Sequence, residues 1–194
     1  MEALRSVLAR LETEGAALGH FNVSDLALLK AVVLSANQIG VPVLVGASEG
    51  ERDFFGVRQL ATVVNSLREE FVVPIFLNAD HTHSLAKAVE AAKAGFDEII
   101  VDFSALPFEQ NVSSTKKALE AIKAINPAIL VEGEIGDIGI GSGKVEERSS
   151  SRSRSPSMAR RAAISAILMA TSSRSDRVLP SRTVNAVGPD GFRM

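Results

Sequence analysis

The segment Pro74-Ile-Phe-Leu-Asn-Ala-Asp-His-Thr-His83 decides the fold that this sequence predicts. Residues 72–77 are an apolar run typical of a buried strand, and a helical pattern begins soon after it, at Ser84. Asp80 and His81 lie between the two, where a carboxylate can transfer a proton beside an imidazole that can bind a metal. In parallel α/β proteins such strand ends converge on a ligand. For an isolated Asp-His pair, a turn with solvated side chains is the alternative.

Composition limits the class of protein. With 194 residues, of which 46% are hydrophobic, the chain can bury one substantial core. It has no cysteine, which excludes disulfides and thiolate metal sites and leaves histidine and carboxylate ligands for any metal. Its amino terminus does not resemble a signal peptide, and no stretch has the roughly 18 apolar residues of a membrane span. We therefore expect a soluble, cytoplasmic protein with no membrane partner.

Apolar strands alternate with amphipathic helices along the first part of the chain. The predicted strands are residues 19–23, 41–46, 72–77, 98–101 and 128–131, and the predicted helices are residues 2–14, 26–38, 57–71, 84–94 and 111–125. Residues 47–50 are predicted to form a polar turn. The later strands are apolar on both faces, as in a sheet that is covered on both sides. The order predicts a parallel sheet with helical crossovers, in the α/β class.

Polar residues at the strand ends favour a TIM (β/α)8 barrel over a doubly wound open sheet. An open sheet uses the ends of its switch-point strands, whereas every strand end of a barrel can face one site. No G-x-G-x-x-G motif follows the first strand and no Walker lysine is present. We predict that residues 1–147 form about five βα units of such a barrel. The polar strand-end residues are Asn22, Ser48, Asp80, His81, Asp102, Glu132 and Glu134.

The composition changes near Glu147. Residues 148–194 contain nine Arg, two Asp and neither Lys nor Glu, a net charge of +7 in a chain whose net charge is −2. Residues 148–157 are a low-complexity Arg/Ser run that predicts disorder, and residues 160–170 predict one short helix. We interpret this tail as a non-native continuation, such as a shifted reading frame. A basic interaction segment is the alternative, and nucleic acid is a poor candidate partner because the run lacks aromatic residues.

Five motifs, in order and spacing, resemble the amino-terminal part of the class II, metal-dependent ketose-bisphosphate aldolases. The resemblance covers residues 15–147 and implies a TIM barrel that binds Zn²⁺, with a possible second divalent or monovalent cation. It also implies a homo-oligomer and a phosphorylated sugar substrate. The motifs are Gly19–Asn22, Pro42–Gly50, Asn78–His81, Ala94–Asn111 and Val131–Gly136.

The resemblance implies a lyase of glycolysis or carbohydrate metabolism. Members cleave fructose- or tagatose-1,6-bisphosphate into dihydroxyacetone phosphate and glyceraldehyde 3-phosphate through a zinc-stabilised enediolate. Asp80 matches the proton donor to the aldehyde oxygen in the condensation direction, and His81 matches a ligand of the zinc. Asp102 and Glu134 match acidic positions near the metal.

Further residues are placed by the same resemblance. Asn22 and Ser48 match substrate-binding positions, although helix capping or turn formation is an equal alternative for each. Glu132 lies on the same strand face as Glu134 because side chains alternate along a strand. Glu146 or Glu147 can correspond to the family's mobile glutamate, which abstracts a proton from the substrate.

The histidine content departs from the family pattern. The family completes its zinc site with two further histidines from later strands, but this chain has three in total, at positions 20, 81 and 83. Catalytic zinc normally takes three protein ligands. We therefore expect the chain itself to be inactive or nearly so, and a non-catalytic barrel fragment with a basic interaction tail is the second hypothesis.

Overall fold

The computed structural model describes residues 2–135 and the backbone of residues 166–167. The helices are α1 (Leu4–Glu14), α2 (Leu26–Ile39), α3 (Glu49–Phe55), α4 (Val57–Glu70), α5 (Leu85–Ala94) and α6 (Phe108–Ile125). The strands are β1 (Gly19–Asn22), β2 (Val43–Ala47), β3 (Ile75–Thr82), β4 (Glu98–Val101), β5 (Leu130–Gly133) and β6 (Ala166–Ile167). None of the described helices has the length and apolar character needed to cross a membrane.

The sheet follows the order of the chain. Strands β1 to β5 are parallel and each pairs with the next, while β6 pairs antiparallel with β5. Right-handed crossovers between consecutive neighbours always place the connecting helices on the same face of the sheet. The chain therefore winds in one direction without a switch point, as in a barrel. The predicted α/β class and the alternation of five strands with helices are confirmed.

Two apolar clusters cover the two faces of the sheet. The larger joins one face to helices α2, α4, α5 and α6, and the smaller joins the other face to α1. Leu44, Phe76 and Leu130 belong to the smaller cluster. Side chains alternate along a strand. A residue two or four positions away from one of these three on the same strand therefore points to the same, inner face. Asp80 and Glu132 are therefore expected on that face.

Local sequence signals set most helix boundaries. The carboxylate of Asp25 accepts a hydrogen bond from the backbone N–H of Leu28 and caps α2, and the hydroxyl of Ser84 caps α5 in the same way. Gly40 ends α2 with φ at 72°, a left-handed conformation that glycine adopts without a steric penalty. These caps explain why the predicted starts of both helices agree with the structure to within one residue.

Several predicted boundaries were wrong. Strand β3 was predicted to end at Leu77 but continues to Thr82, because its polar residues pair within the sheet and Asn78 is fully buried. Helix α3 lies where a turn was predicted for residues 47–50. Its first turn is a capping box, in which Ser48 and Glu51 satisfy each other's backbone N–H groups.

Smaller differences occur near the end of the described chain. Helix α6 begins at Phe108, three residues before its predicted start, and β5 begins two residues later than predicted. A helix was predicted for residues 160–170, yet residues 166–167 form a strand against β5. The rest of that predicted helix, the Arg/Ser run and most of residues 136–194 lie outside the described residues.

Candidate metal and catalytic site

Three consecutive strands bring one side chain each to a common point. His81 Nδ1 lies 2.9 Å from Asp102 Oδ2 and 3.3 Å from Glu134 Oε2. One ligand atom from each residue lies within 4.8 Å of the others. Two ligands of a tetrahedral zinc, each bonded at its usual distance, are about 3.4 Å apart. The spacing and the donor set of one imidazole and two carboxylates therefore fit a divalent cation such as zinc.

The backbone around His81 departs from a regular strand. His81 has φ at 42°, and it is the one described non-glycine residue with positive φ. The register between β3 and β4 also shifts between Ala79 and Thr82. In a regular strand the side chains of neighbouring residues point to opposite faces. The irregularity allows Asp80 and His81 to face the same site.

Hydrogen bonds fix the carboxylate of Asp102. Ser104 donates to Asp102 Oδ1 from its backbone N–H at 3.0 Å and from its hydroxyl at 2.5 Å. Burial alone would raise the pKa of Asp102, but hydrogen bonds from Ser104, Glu134 and His81 outweigh it and hold the pKa well below its usual range. Asp102 is thus the permanent negative charge of the site.

The other two members of the cluster have raised pKa values. Burial raises the pKa of Glu134 to about 7, and its hydrogen bond to the charged Asp102 adds to this effect. Burial opposes the charged form of His81, but the carboxylates of Asp102, Asp80 and Glu134 outweigh it and raise its pKa. A metal ion would displace the protons held here, because ligands must be deprotonated to bind it.

Asp80 lies beside this cluster with its carboxylate oriented by β1. Asn22 donates from Nδ2 to Asp80 Oδ2 at 2.7 Å, and Asp80 Oδ1 lies 3.9 Å from His81 Nε2. Asp80 is 9% exposed, so little of it is accessible to solvent. The arrangement holds one carboxylate oxygen in place while the other lies near the His81 ring, which suits a proton-transfer group.

Ser48 has the structural role that was the alternative to substrate binding. Its hydroxyl accepts a hydrogen bond from the backbone N–H of Glu51 at 3.3 Å as the cap of α3. Asn22 forms no such cap, since its amide binds Asp80. Whether either residue contacts a substrate stays a prediction.

The remaining candidate glutamates lie apart from the cluster or beyond the described chain, whereas His83 lies against the cluster. Glu132 lies on β5 and faces the cavity beneath α1 rather than the group around His81. Glu146 and Glu147 lie outside the described residues. His83 stacks on His81 with ring centroids 6.3 Å apart and has Nδ1 3.7 Å from Asp102 Oδ2. His20 is exposed on β1.

Sequence reasoning missed the residues that support the site. Arg52 is buried behind Asp80, and Asn111 donates from Nδ2 to the backbone carbonyl of Glu134 at 2.8 Å. Neither lies at a strand end, which was the signal used to select candidates. The S-x-x-E pattern at Ser48 could have revealed α3 and hence the helix that carries Arg52.

The fold and the site define a barrel-type α/β protein in which one imidazole and two carboxylates cluster at strand ends, with the carboxylate of Asp80 beside them. The sequence matches the family model described as fructose-bisphosphate aldolase class-II over residues 2–173. The chain therefore belongs to the class II fructose-bisphosphate aldolase family, as the resemblance of its motifs predicted.

Individual relatives agree with this assignment. The chain is 31% identical over 140 residues to a fructose-bisphosphate aldolase of Staphylococcus aureus, covering 71% of this chain and 48% of that protein. It is 32% identical over 140 residues to a probable fructose-bisphosphate aldolase of Bacillus subtilis, with the same coverage. The crystal structure of the YdjI aldolase from Escherichia coli superimposes with a TM-score of 0.63 at 25% identity, covering 70% of this chain and 52% of that chain. The chain thus spans about half the length of the relatives it matches.

Proposed function

We propose that this chain carries the metal-binding part of an aldolase that cleaves a ketose 1,6-bisphosphate, such as fructose- or tagatose-1,6-bisphosphate. The observation that supports this most directly is the convergence of His81, Asp102 and Glu134 beside Asp80. The products would be dihydroxyacetone phosphate and glyceraldehyde 3-phosphate. A cytoplasmic location fits the absence of cysteine from the sequence.

Cleavage requires one proton to leave and another to be added. The bond between C3 and C4 breaks, the C4 hydroxyl loses its proton as it becomes the aldehyde, and the bonding electron pair is left on C3 beside the C2 carbonyl. A proton then adds to C3 to give the ketone product. Asp80 is positioned to take the C4 hydroxyl proton, and in the reverse direction to return it to the aldehyde oxygen. Asn22 holds the Asp80 carboxylate for this transfer.

The three side chains around His81 would hold the metal ion. When bound, a divalent cation supplies positive charge that stabilises the negative charge developing on the substrate oxygens. Ser104 keeps Asp102 oriented, and Asn111 anchors the backbone at Glu134. Zinc is the metal we propose, and the two carboxylates could accommodate a second divalent or monovalent cation.

We further propose that the isolated chain turns over slowly or not at all. Beyond His81, its histidines are His20, which is exposed on β1, and His83, which stacks against His81. Neither of these histidines lies beside the cluster at the end of a different strand. The two further histidine ligands of the family therefore have no equivalents among the histidines of this chain. The alternative is that the chain is a non-catalytic barrel fragment. Turnover comparable to that of full-length relatives would contradict both this alternative and the proposal of slow or absent turnover.

Calorimetric zinc titration tests the proposed metal site. We expect one zinc ion per chain, with affinity reduced at least about tenfold by His81→Ala or Asp102→Asn, since each removes a ligand. His20→Ala is the matched control, because it removes an imidazole outside the cluster and should leave affinity unchanged. Absent binding, or binding that survives His81→Ala, would refute the site.

A cleavage assay at saturating zinc completes the test. Fructose- and tagatose-1,6-bisphosphate should be compared directly, with Asp80→Asn as the variant that keeps the shape of the side chain but cannot accept the proton. Any turnover should fall to background in that variant and on addition of a chelator. Turnover that persists in excess chelator would exclude the metal-dependent mechanism.

A further inference from the structure

Arg52 is the largest side chain that is almost completely buried in the described chain. It is 2% exposed and projects from α3 toward the carboxyl ends of β2 and β3. Its Nη1 donates to the backbone carbonyls of Ala47 and, at 2.8 Å, of Asp80, and its Nη2 donates to Thr82 Oγ1 at 2.9 Å. Burying a charged group is unfavourable unless it is hydrogen-bonded, and here the bonds all converge on two strand ends.

The acceptors lie on both sides of His81. The Asp80 carbonyl belongs to the peptide bond that precedes His81, and Thr82 directly follows it. Between them, His81 has φ at 42°. A left-handed conformation is unfavourable for a residue with a Cβ and persists when the surrounding structure holds it. The guanidinium is thus bonded to the two positions that flank the irregular residue.

We propose that Arg52 is a positioning residue that fixes the end of β3 so that the His81 imidazole faces Asp102. It would act through the backbone rather than by contact with a substrate or metal. The consequence for metal affinity rests on the proposed function, whereas the consequence for the orientation of His81 does not.

Arginine suits this role better than other side chains. Its planar guanidinium can donate to several acceptors in fixed directions and remains charged when buried, whereas lysine offers a single ammonium group. Glu49, Asp53 and Asp80 provide nearby negative charge that offsets part of the burial. We therefore expect Arg52→Lys to retain part of the effect that Arg52→Met removes.

Arg68 provides a matched control at the opposite end of β3. It donates from Nε to the backbone carbonyl of Ile75 and from Nη1 to Asn65 Oδ1, both at 2.8 Å, and it forms an ion pair with Asp97. It is therefore also a largely buried arginine bonded to the same strand, but it lies far along β3 from His81. Arg68→Met should destabilise the fold without changing the site.

The first measurement is made without metal. The chain has three histidines, so ¹H–¹³C spectra give three imidazole signals, and single His→Gln variants assign them. We expect Arg52→Met and Thr82→Val to move the His81 signal away from its wild-type position, Arg52→Lys to move it less, and Arg68→Met to leave it unchanged. Thr82→Val removes one acceptor while retaining the shape of the side chain, so it decides the test if Arg52→Met does not fold.

The second measurement is zinc titration of the same variants. We expect about tenfold or greater loss of affinity in Arg52→Met and Thr82→Val, a smaller loss in Arg52→Lys and none in Arg68→Met. If the wild type fails to bind zinc while the His81 signal still depends on Arg52, the proposed function fails and the positioning role stands. If Thr82→Val and Arg52→Lys leave the His81 signal at its wild-type position, the positioning role is overturned.

Discussion

Glu98 should make the stability of this protein depend on pH. It lies at the start of β4, is 8% exposed and accepts a hydrogen bond from Asn78 Nδ2 at 2.8 Å. Burial raises its pKa to about 7. The bond from Asn78 opposes this effect, and the carboxylates of Glu132 and Asp97 reinforce it. The fold therefore favours the neutral form of a side chain that is ionised in the unfolded chain near neutral pH.

The sign of the effect follows from proton binding. Between pH 4.5 and about 7 the folded state keeps a proton that the unfolded state releases. The free energy of unfolding contributed by this group is fully present below about pH 4.5, falls as the pH rises and levels off above about 7. At 1.36 kcal/mol per pH unit, the whole window corresponds to about 3 kcal/mol.

Glu98→Gln removes the ionisation and keeps an oxygen that can accept the bond from Asn78. We expect the variant to match the wild type at pH 4.5 and to be more stable by about 3 kcal/mol at pH 8. Urea denaturation from pH 4.5 to 8.5, followed by circular dichroism, measures the difference. Glu120→Gln, on the exposed side of α6, is the control and should show no such trend. A constant difference between Glu98→Gln and wild type across the range would refute the reasoning.

Three further substitutions test single features of the fold. Ser48→Ala should lower the free energy of unfolding by about 1 kcal/mol in urea denaturation, because it removes the cap of α3. Ser48→Asp keeps a capping oxygen and should be as stable as the wild type. An equal loss in Ser48→Asp and Ser48→Ala would contradict the capping role. His81→Gly should be more stable than His81→Ala by about 1 kcal/mol, because glycine accepts the left-handed conformation; equal stability would argue against backbone strain there. Leu60→Ala should lower the free energy of unfolding by about 2–5 kcal/mol, because Leu60 is fully buried in the larger apolar cluster. A loss below about 1 kcal/mol would show that neighbouring side chains fill the space that Leu60 leaves.

The main features of the site could be read from the sequence because they follow from where the strands end. An apolar run that ends in charged residues marks the carboxyl end of a parallel strand, and such ends meet in a barrel. This reasoning selected Asp80, His81, Asp102 and Glu134, which the structure brings together. Their chemical roles came from the family resemblance and stay proposals.

The supporting residues could not be predicted in the same way. The burial of Arg52 depends on how α3 packs against two strand ends. Residues 47–50 were predicted to form a turn, and the residues that follow them up to position 56 were assigned to no element. The interior position of Glu98 depends on the register of β4 with β3, which pairs it with Asn78. Hydropathy alone assigns Arg and Glu side chains to the surface, since they are rarely buried unless paired. Contacts between distant residues decide these cases.

The order of the strands explains why half of a barrel can bring the three candidate ligands together. His81 lies near the end of β3, and Asp102 and Glu134 directly follow β4 and β5, so three consecutive, hydrogen-bonded strands bring these side chains together. In a doubly wound sheet, the equivalent site would need strands from both sides of a switch point. Metal affinity and turnover are therefore separable properties in this architecture. Under the proposed function, metal affinity depends on side chains at three adjacent strands, whereas turnover also needs groups that bind the phosphates of a ketose bisphosphate. A chain that spans about half the length of its relatives is suited to measuring the first property alone.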